Sequence, residues 1–372
     1  MASYDEILNR LEAEGNLRTI PTETDRKILD FSTNDYMGLG ERIDLREKFF
    51  NQESNRLLPM SSSASRLLAS SQEQHNRLEQ LLADLYGRPA LLFNSGYHAN
   101  TGIIPALAEG NTLIVADKLS HASIIDGMVL SRTSFTRFPH NDYSRLERIV
   151  SDAEGKYDRI LIVTESVFSM DGDCSDIERL AEIKCRHKNT MLYIDEAHAF
   201  GVKGKYGLGM SHDSAAFSDV DVVIGTFGKA AASAGAFATM TATVKNYLIN
   251  RARSFIFSTA LAPMTSAWTR FMVETLTEMD EERAYVDRLA SCLHDALHIT
   301  DMTPSHIAPL IVGDARLAVK MSQQLLALGY KALPIRTPTV PAGTERLRFS
   351  LSATMTENDI TGLGKAISTL TK

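Results

Sequence analysis

Met191-Leu192-Tyr193-Ile194-Asp195-Glu196-Ala197-His198 and, further on, Asp221-Val222-Val223-Ile224-Gly225-Thr226-Phe227-Gly228-Lys229 decide the reading of the fold. Each runs through consecutive apolar residues rather than an apolar-polar alternation, the mark of a strand buried on both faces, and each ends in side chains capable of chemistry. Similar runs occur at 90–93, 112–116 and 160–164. Helical patterns fall among them. Ser175-Asp176-Ile177-Glu178 reads as a capping box opening a helix with Ile177, Leu180 and Ile183 on one face. Leu78, Leu81, Leu82 and Leu85 give another apolar face, ended by Gly87 and Pro89. This rhythm predicts an α/β fold with a mostly parallel central sheet flanked by helices.

Outward from that region the texture changes. Tyr4, Ile7, Leu8 and Leu11 predict a short amphipathic helix that needs another surface to cover it. Beyond residue 260, helical patterns near 281–297 and 315–328 accompany strand candidates at 307–312 and 346–351, which reads as a smaller α+β lobe. The expected organisation is an N-terminal helical arm (1–36), a large domain (37–276) and a small C-terminal domain (277–372), without repeats or low-complexity linkers.

Composition narrows the function classes. The 372 residues are 44% hydrophobic and 23% charged, near globular averages, which argues against disorder. A net charge of −7, from 39 basic against 46 acidic residues, lacks the positive field of a nucleic-acid binder. Three scattered cysteines, Cys174, Cys185 and Cys292, suit neither a thiolate metal cage nor a disulfide framework, and suggest a reducing, cytoplasmic setting. The N-terminus has no apolar signal region, and no apolar run approaches the ~18 residues of a membrane span.

Three tempting motifs fail. Asp195-Glu196-Ala197-His198 spells a helicase box, but Gly225-Thr226-Phe227-Gly228-Lys229-Ala230 lies downstream of it and lacks both the first glycine and the Ser or Thr of a phosphate loop. Gly201, Gly204, Gly207 and Gly209 miss dinucleotide spacing and read as a flexible loop. His294 and His298 have metal-compatible i, i+4 spacing but no third ligand, and read as a solvated helix face, so no metal is expected.

Five features survive at or after strand ends, where open sheets place ligands: Asn94-Ser95-Gly96-Tyr97, Ser120-His121-Ala122-Ser123, Ser169-Met170-Asp171-Gly172, Asp195-Glu196-Ala197-His198 and Thr226-Phe227-Gly228-Lys229. A lysine amine forms a Schiff base with an aldehyde, and an Asp ending a buried strand can keep a pyridine nitrogen protonated. Gly96, Tyr97 and Thr226 can offer donors to a phosphate. In order and spacing these features resemble the α-oxoamine synthases, a branch of the fold-type-I pyridoxal-phosphate enzymes, over nearly the whole chain.

The resemblance implies pyridoxal 5'-phosphate as cofactor, held by Gly96, Tyr97, Ser169, Asp195, His198, Thr226, Lys229 and Thr259. Lys229 and His121 are then the catalytic pair, and Arg18, Asn34, His121, Arg336 and Thr339 the substrate residues, with Arg336 on the amino-acid carboxylate and Arg18 on the distal acyl carboxylate. The segment 335–348 looks most like the biotin-pathway branch, which condenses L-alanine with a pimeloyl thioester on CoA or acyl carrier protein; other branches use glycine with acetyl-CoA, or serine. A cofactor-free scaffold would have no need of Lys229, Asp195, His198 and His121 together. Phe255-Ile256-Phe257-Ser258-Thr259 resembles a segment that crosses to a partner's cofactor phosphate, which implies a homodimer with its active site at the interface. Two departures stand out: Met60-Ser61-Ser62-Ser63-Ala64-Ser65-Arg66 replaces a glycine-rich run, so that loop's backbone is expected to be stiffer, and Ala230 to Ala232 replace the glycines usual after the lysine.

Overall fold

The computed structural model describes residues 3–20, 28–70 and 72–370. The chain divides into two compact units, one of 37–168 and 174–283, the other of 1–36, 169–173 and 284–372.

The first unit is built on a seven-stranded sheet: β1 (Ala90–Phe93), β2 (Thr112–Asp117), β3 (Ser134–Phe138), β4 (Arg159–Glu165), β5 (Thr190–Asp195), β6 (Val222–Thr226) and β7 (Ala236–Met240). Their order is β1-β7-β6-β5-β4-β2-β3, and β7 alone runs antiparallel to its neighbours. The apolar runs have two faces to fill. Ile114, Ala116, Leu161, Val163 and Tyr193 enter one core, while Leu113, Val115, Ile160, Ile162 and Leu192 enter another. A period-two strand buried on both sides therefore has no position left for a polar residue until its end. Gly225 in β6 answers a close approach: a Cβ there would meet the Phe237 ring at 2.2 Å.

In the other unit, β8 (Ile307–Ile311), β9 (Leu333–Ile335) and β10 (Arg346–Ser350) form an antiparallel sheet in the order β9-β10-β8. Phe31, Leu289, Leu293, Leu325, Leu347, Phe349 and Leu363 share its core. The N-terminal helix Tyr4–Ala13 is present and carries a Ser3–Glu6 capping box, yet buries none of its residues; Arg316 binds the Ala13 carbonyl at its end.

Three expectations are corrected. The helix Ile177–Arg186 is capped by Asp176, whose side chain accepts from Arg179 N–H, not by Ser175. Ser175 is buried and its N–H is committed to the Ser166 carbonyl, so it closes the preceding turn instead. His294 is 2% exposed, accepts the Ser305 N–H and is held below the ordinary imidazole range by burial, so it does not sit on a solvated face. The loop of Gly201, Gly204, Gly207 and Gly209 is tightly structured. All four glycines take positive φ, Gly201 N–H donates to the Gly207 carbonyl, and Glu196 accepts from Met210 and Ser211 N–H.

Candidate active site

The C-terminal ends of β1, β4, β5 and β6 lie along one edge of the large sheet. Asp195 on β5 is in register with Glu165 on β4 and Ile224 on β6, while Thr226 and Phe93 both face Ala236 on the reversed strand β7. Register thus brings the segments after β1 and β6 together across the start of β7. A Cβ built on Gly96 would stand 3.9 Å from Thr226 Cβ and 4.0 Å from its hydroxyl oxygen. Gly96 begins the helix Gly96–Leu107, capped by Ser95, whose side chain accepts from His98 N–H. A helix N-terminus facing a threonine hydroxyl is a fitting seat for a phosphate.

Asp195 is buried. One of its oxygens accepts from Asn100 Nδ2 at 2.7 Å and the other from Ala197 N–H at 2.9 Å. Asn100, itself 1% exposed, also donates to Ser123 Oγ at 2.8 Å and accepts from the Tyr193 hydroxyl at 2.5 Å. Lys229, half-buried after β6, places Nζ 2.7 Å from Nε2 of His198. His121 caps the helix Ala122–Ser131: its Nδ1 accepts the Ser123 N–H at 3.2 Å, which leaves the neutral ring's proton on Nε2. Loss of water, and the Lys229 charge against that of Asp195, hold the His121 imidazole below its ordinary pKa.

These residues fit pyridoxal phosphate. An amine stands beside an imidazole, a buried carboxylate is held on two sides, and an anion seat is open at a helix start. Lys229, His198, Asp195, Thr226, Gly96 and His121 all belong to one unit. Tyr97 follows Gly96, half-exposed, with its hydroxyl on Asp126. Thr259 is beside this group in its own chain, its carbonyl accepting from Asn94 Nδ2 at 2.7 Å. The two glycine-poor departures meet a backbone need: Ser63 and Ala232 adopt φ of 53° and 44°, the left-handed region that favours glycine.

The remaining candidates belong to the other unit, in two groups. Asn34 accepts from Arg348 Nη2 at 3.0 Å, and the Ser169 carbonyl from Arg348 Nε at 2.6 Å. Arg18 donates to Thr339 Oγ1 at 2.9 Å, and Arg336 binds the carbonyls of Gly15 and Leu17. The Arg336 pKa is lowered by burial and by the charge of Arg18.

Sequence reading missed Asn100, Glu165 and Arg348. A polar residue among Ala99, Ile103 and Ile104, a carboxyl ending an apolar strand, and Arg346 and Arg348 at strand period two are the signals that mark them.

The chain matches the family described as aminotransferase class I and II over residues 26–367. It is 46% identical over 366 residues, 95% of each chain, to a Pasteurella multocida protein provisionally named 8-amino-7-oxononanoate synthase. Among solved structures it resembles a serine palmitoyltransferase from S. paucimobilis with a bound pyridoxal-phosphate adduct of myriocin: TM-score 0.86, 28% identity, covering 92% of this chain and 88% of that one. It also resembles 8-amino-7-oxononanoate synthase from Francisella tularensis: TM-score 0.77, 28% identity, covering 93% and 98%.

Proposed function

The chain belongs to the aminotransferase class I and II family and is a pyridoxal-phosphate-dependent acyltransferase of the α-oxoamine synthase type, and from that premise we propose that it condenses L-alanine with a pimeloyl thioester to give 8-amino-7-oxononanoate, CO2 and the free thiol, a step of biotin biosynthesis. Near-full-length similarity to the Pasteurella multocida protein supports this choice within the family. The observation that carries the chemistry is the Lys229–His198 pair beside the Asp195–Asn100 anchor.

Pyridoxal phosphate supplies an aldehyde that captures an amine and a ring that accepts the electron pair freed at the amino acid's Cα. Lys229, half-buried beside His198, would be the amine that holds the aldehyde and, once freed, would take the Cα proton. Asp195, fixed by Asn100 and Ala197 N–H, would hold the ring nitrogen. His121, neutral with its proton on Nε2, donates a hydrogen bond to the thioester oxygen as the new C–C bond forms and the thiol leaves. Once CO2 has left, Lys229 would return a proton to Cα.

The substrates carry two carboxylates, and the other unit holds two sets of arginines. Asn34 groups with Arg348, which suits the amino-acid carboxylate, while Arg336 groups with Arg18 and Thr339 and suits the far carboxylate of the acyl chain. This sorting moves Arg336 from the amino-acid end to the acyl end. A cytoplasmic homodimer belongs to the same proposal. Leu57, Met60, Leu67, Leu68 and Phe257 are all more than half exposed, and Ala260 N–H to the Ala64 carbonyl joins their two segments into one apolar region that a second copy would cover.

A substrate-pair assay tests the reaction. L-Alanine with pimeloyl thioester should release thiol and CO2 faster than glycine with acetyl-CoA or serine with an acyl-CoA; a faster rate with either rival pair overturns the assignment.

A further inference from the structure

Glu165 ends β4 directly beside Asp195 on β5, with their Cα atoms paired in register, and is 2% exposed. A carboxyl in so dry a place requires polar partners. Oε1 accepts the backbone N–H of His121 at 2.5 Å. His121 is thereby held at two points, by Glu165 at its backbone and by Ser123 N–H at its ring.

We propose that Glu165 is a positioning residue for His121, its carboxyl clamping the backbone from which the imidazole projects. The inference rests on the role given to His121 above. The charged groups facing Glu165 are Asp195 on β5, Asp117 at the end of β2, and Lys229 after β6, with His121 as its hydrogen-bond donor. Burial, then the Asp195 charge, push the Glu165 pKa up to about 8, against the His121 N–H and Lys229. Near neutral pH the residue is an uncharged acid. An ionised Glu165 would add a second anion there and raise the proton affinity of both His121 and Lys229, which are needed neutral.

Glu165→Gln and Glu165→Ala separate acceptor from charge. Glutamine keeps a carbonyl for the His121 N–H; alanine does not. Alanine is expected to lower kcat by about 10–100-fold with KM for the amino acid shifted less than about threefold, and glutamine to restore at least about tenfold of that loss at pH 7. Wild-type kcat should decline as pH rises through about 8, and the glutamine variant should lack that decline. The cofactor-free protein supplies a readout independent of turnover. Because a raised carboxyl pKa makes the native state bind more protons, wild-type stability to urea should fall relative to Glu165→Gln as pH rises from about 5 to 8.

A glutamine variant as impaired as alanine at pH 7, or one retaining the wild-type alkaline decline and stability slope, overturns the proposal. If the alanine variant does not fold, the glutamine comparisons decide alone. His121→Ala separates the two levels. If it lowers kcat while Glu165→Ala turns over at the wild-type rate, the Glu165 inference falls and the His121 role stands; if His121→Ala is silent, both fall.

Discussion

Lys229 Nζ lies 2.7 Å from Nε2 of His198, so the amine that must bond an aldehyde is held by an imidazole placed three residues beyond the strand-end Asp195. Lys229→Ala removes both the covalent attachment and the Cα base. Added pyridoxal phosphate should give the wild type a visible Schiff-base absorbance that the variant lacks, and turnover should fall by at least about 10²–10⁴-fold. A wild type that gains no visible band would remove Lys229 from its role.

Asn100 joins three groups, accepting from the Tyr193 hydroxyl and donating to Asp195 and Ser123. Asn100→Ala leaves the Tyr193 hydroxyl and one Asp195 oxygen buried without this partner, at a cost of about 1–3 kcal/mol to stability. Asn100→Asp adds a like charge against Asp195 and should weaken cofactor binding further. Urea unfolding and pyridoxal-phosphate titration of both variants check this order; an alanine variant with wild-type stability contradicts it.

The fold was legible where hydropathy and chemistry coincide. β5 and β6 announce themselves because burial on both faces leaves an apolar run, and each run ends at a proposed site residue, Asp195 and Thr226. β3, at the sheet edge, hides behind the polar residues of Ser134-Phe135-Thr136-Arg137-Phe138. β7, with Ala236-Phe237-Ala238-Thr239-Met240, carries too few β-formers to read as a strand, although it is fully buried. Lys229, Asp195, His198, His121 and Thr226 could be proposed from local sequence, since all five end or follow just three strands, Thr112–Asp117, Thr190–Asp195 and Val222–Thr226. Asn100 could not, because its value lies in a contact with Asp195 across 95 positions, and Arg348 gathers Asn34 and Ser169 from two distant segments.

His121 offers a pH test. Its native pKa lies below the ordinary imidazole value of 6.5, so the native state binds fewer protons than the unfolded chain in the interval just under 6.5. Relative to His121→Asn, wild-type stability should rise with pH across that interval and lose that contribution as pH falls through the native value. His121→Asn should flatten this dependence in urea unfolding between pH 5 and 7, and the acid limb of wild-type kcat should lie below pH 6.5. A wild-type limb above 6.5 would mean that the imidazole is stabilised as a cation.

Ala232 follows Lys229 by three residues with φ of 44°, its N–H bonded to the Lys229 carbonyl and its own carbonyl accepting from Trp268 Nε1. A side chain in this left-handed conformation costs about 1–2 kcal/mol, part of which glycine returns as greater freedom in the unfolded chain. Ala232→Gly is therefore expected to raise stability by up to about 1 kcal/mol in urea unfolding. A destabilised variant would show that the Ala232 methyl contributes more by packing than it costs in strain.

Arg18 and Arg336 share one part of the chain with Thr339, and burial, then the charge of Arg18, lowers the Arg336 pKa. Among the described residues, neither guanidinium is paired with a carboxylate. Arg336 is meanwhile bound to the carbonyls of Gly15 and Leu17, neutral acceptors that a carboxylate would outcompete, since charge-assisted hydrogen bonds are about twice as strong as neutral ones. On the proposed reaction, the terminal carboxylate of the acyl chain would be that partner. Arg336→Ala should then raise KM for pimeloyl thioester by about 10–100-fold, the 1.5–3 kcal/mol of a hydrogen bond to a charged group, and leave KM for a methyl-ended thioester of equal length nearly unchanged. Arg336→Lys should recover only part of the loss, because an ammonium keeps the charge without the planar two-point fork. Equal KM increases for both thioesters, or an increase for L-alanine instead, would return Arg336 to the amino-acid end of the site.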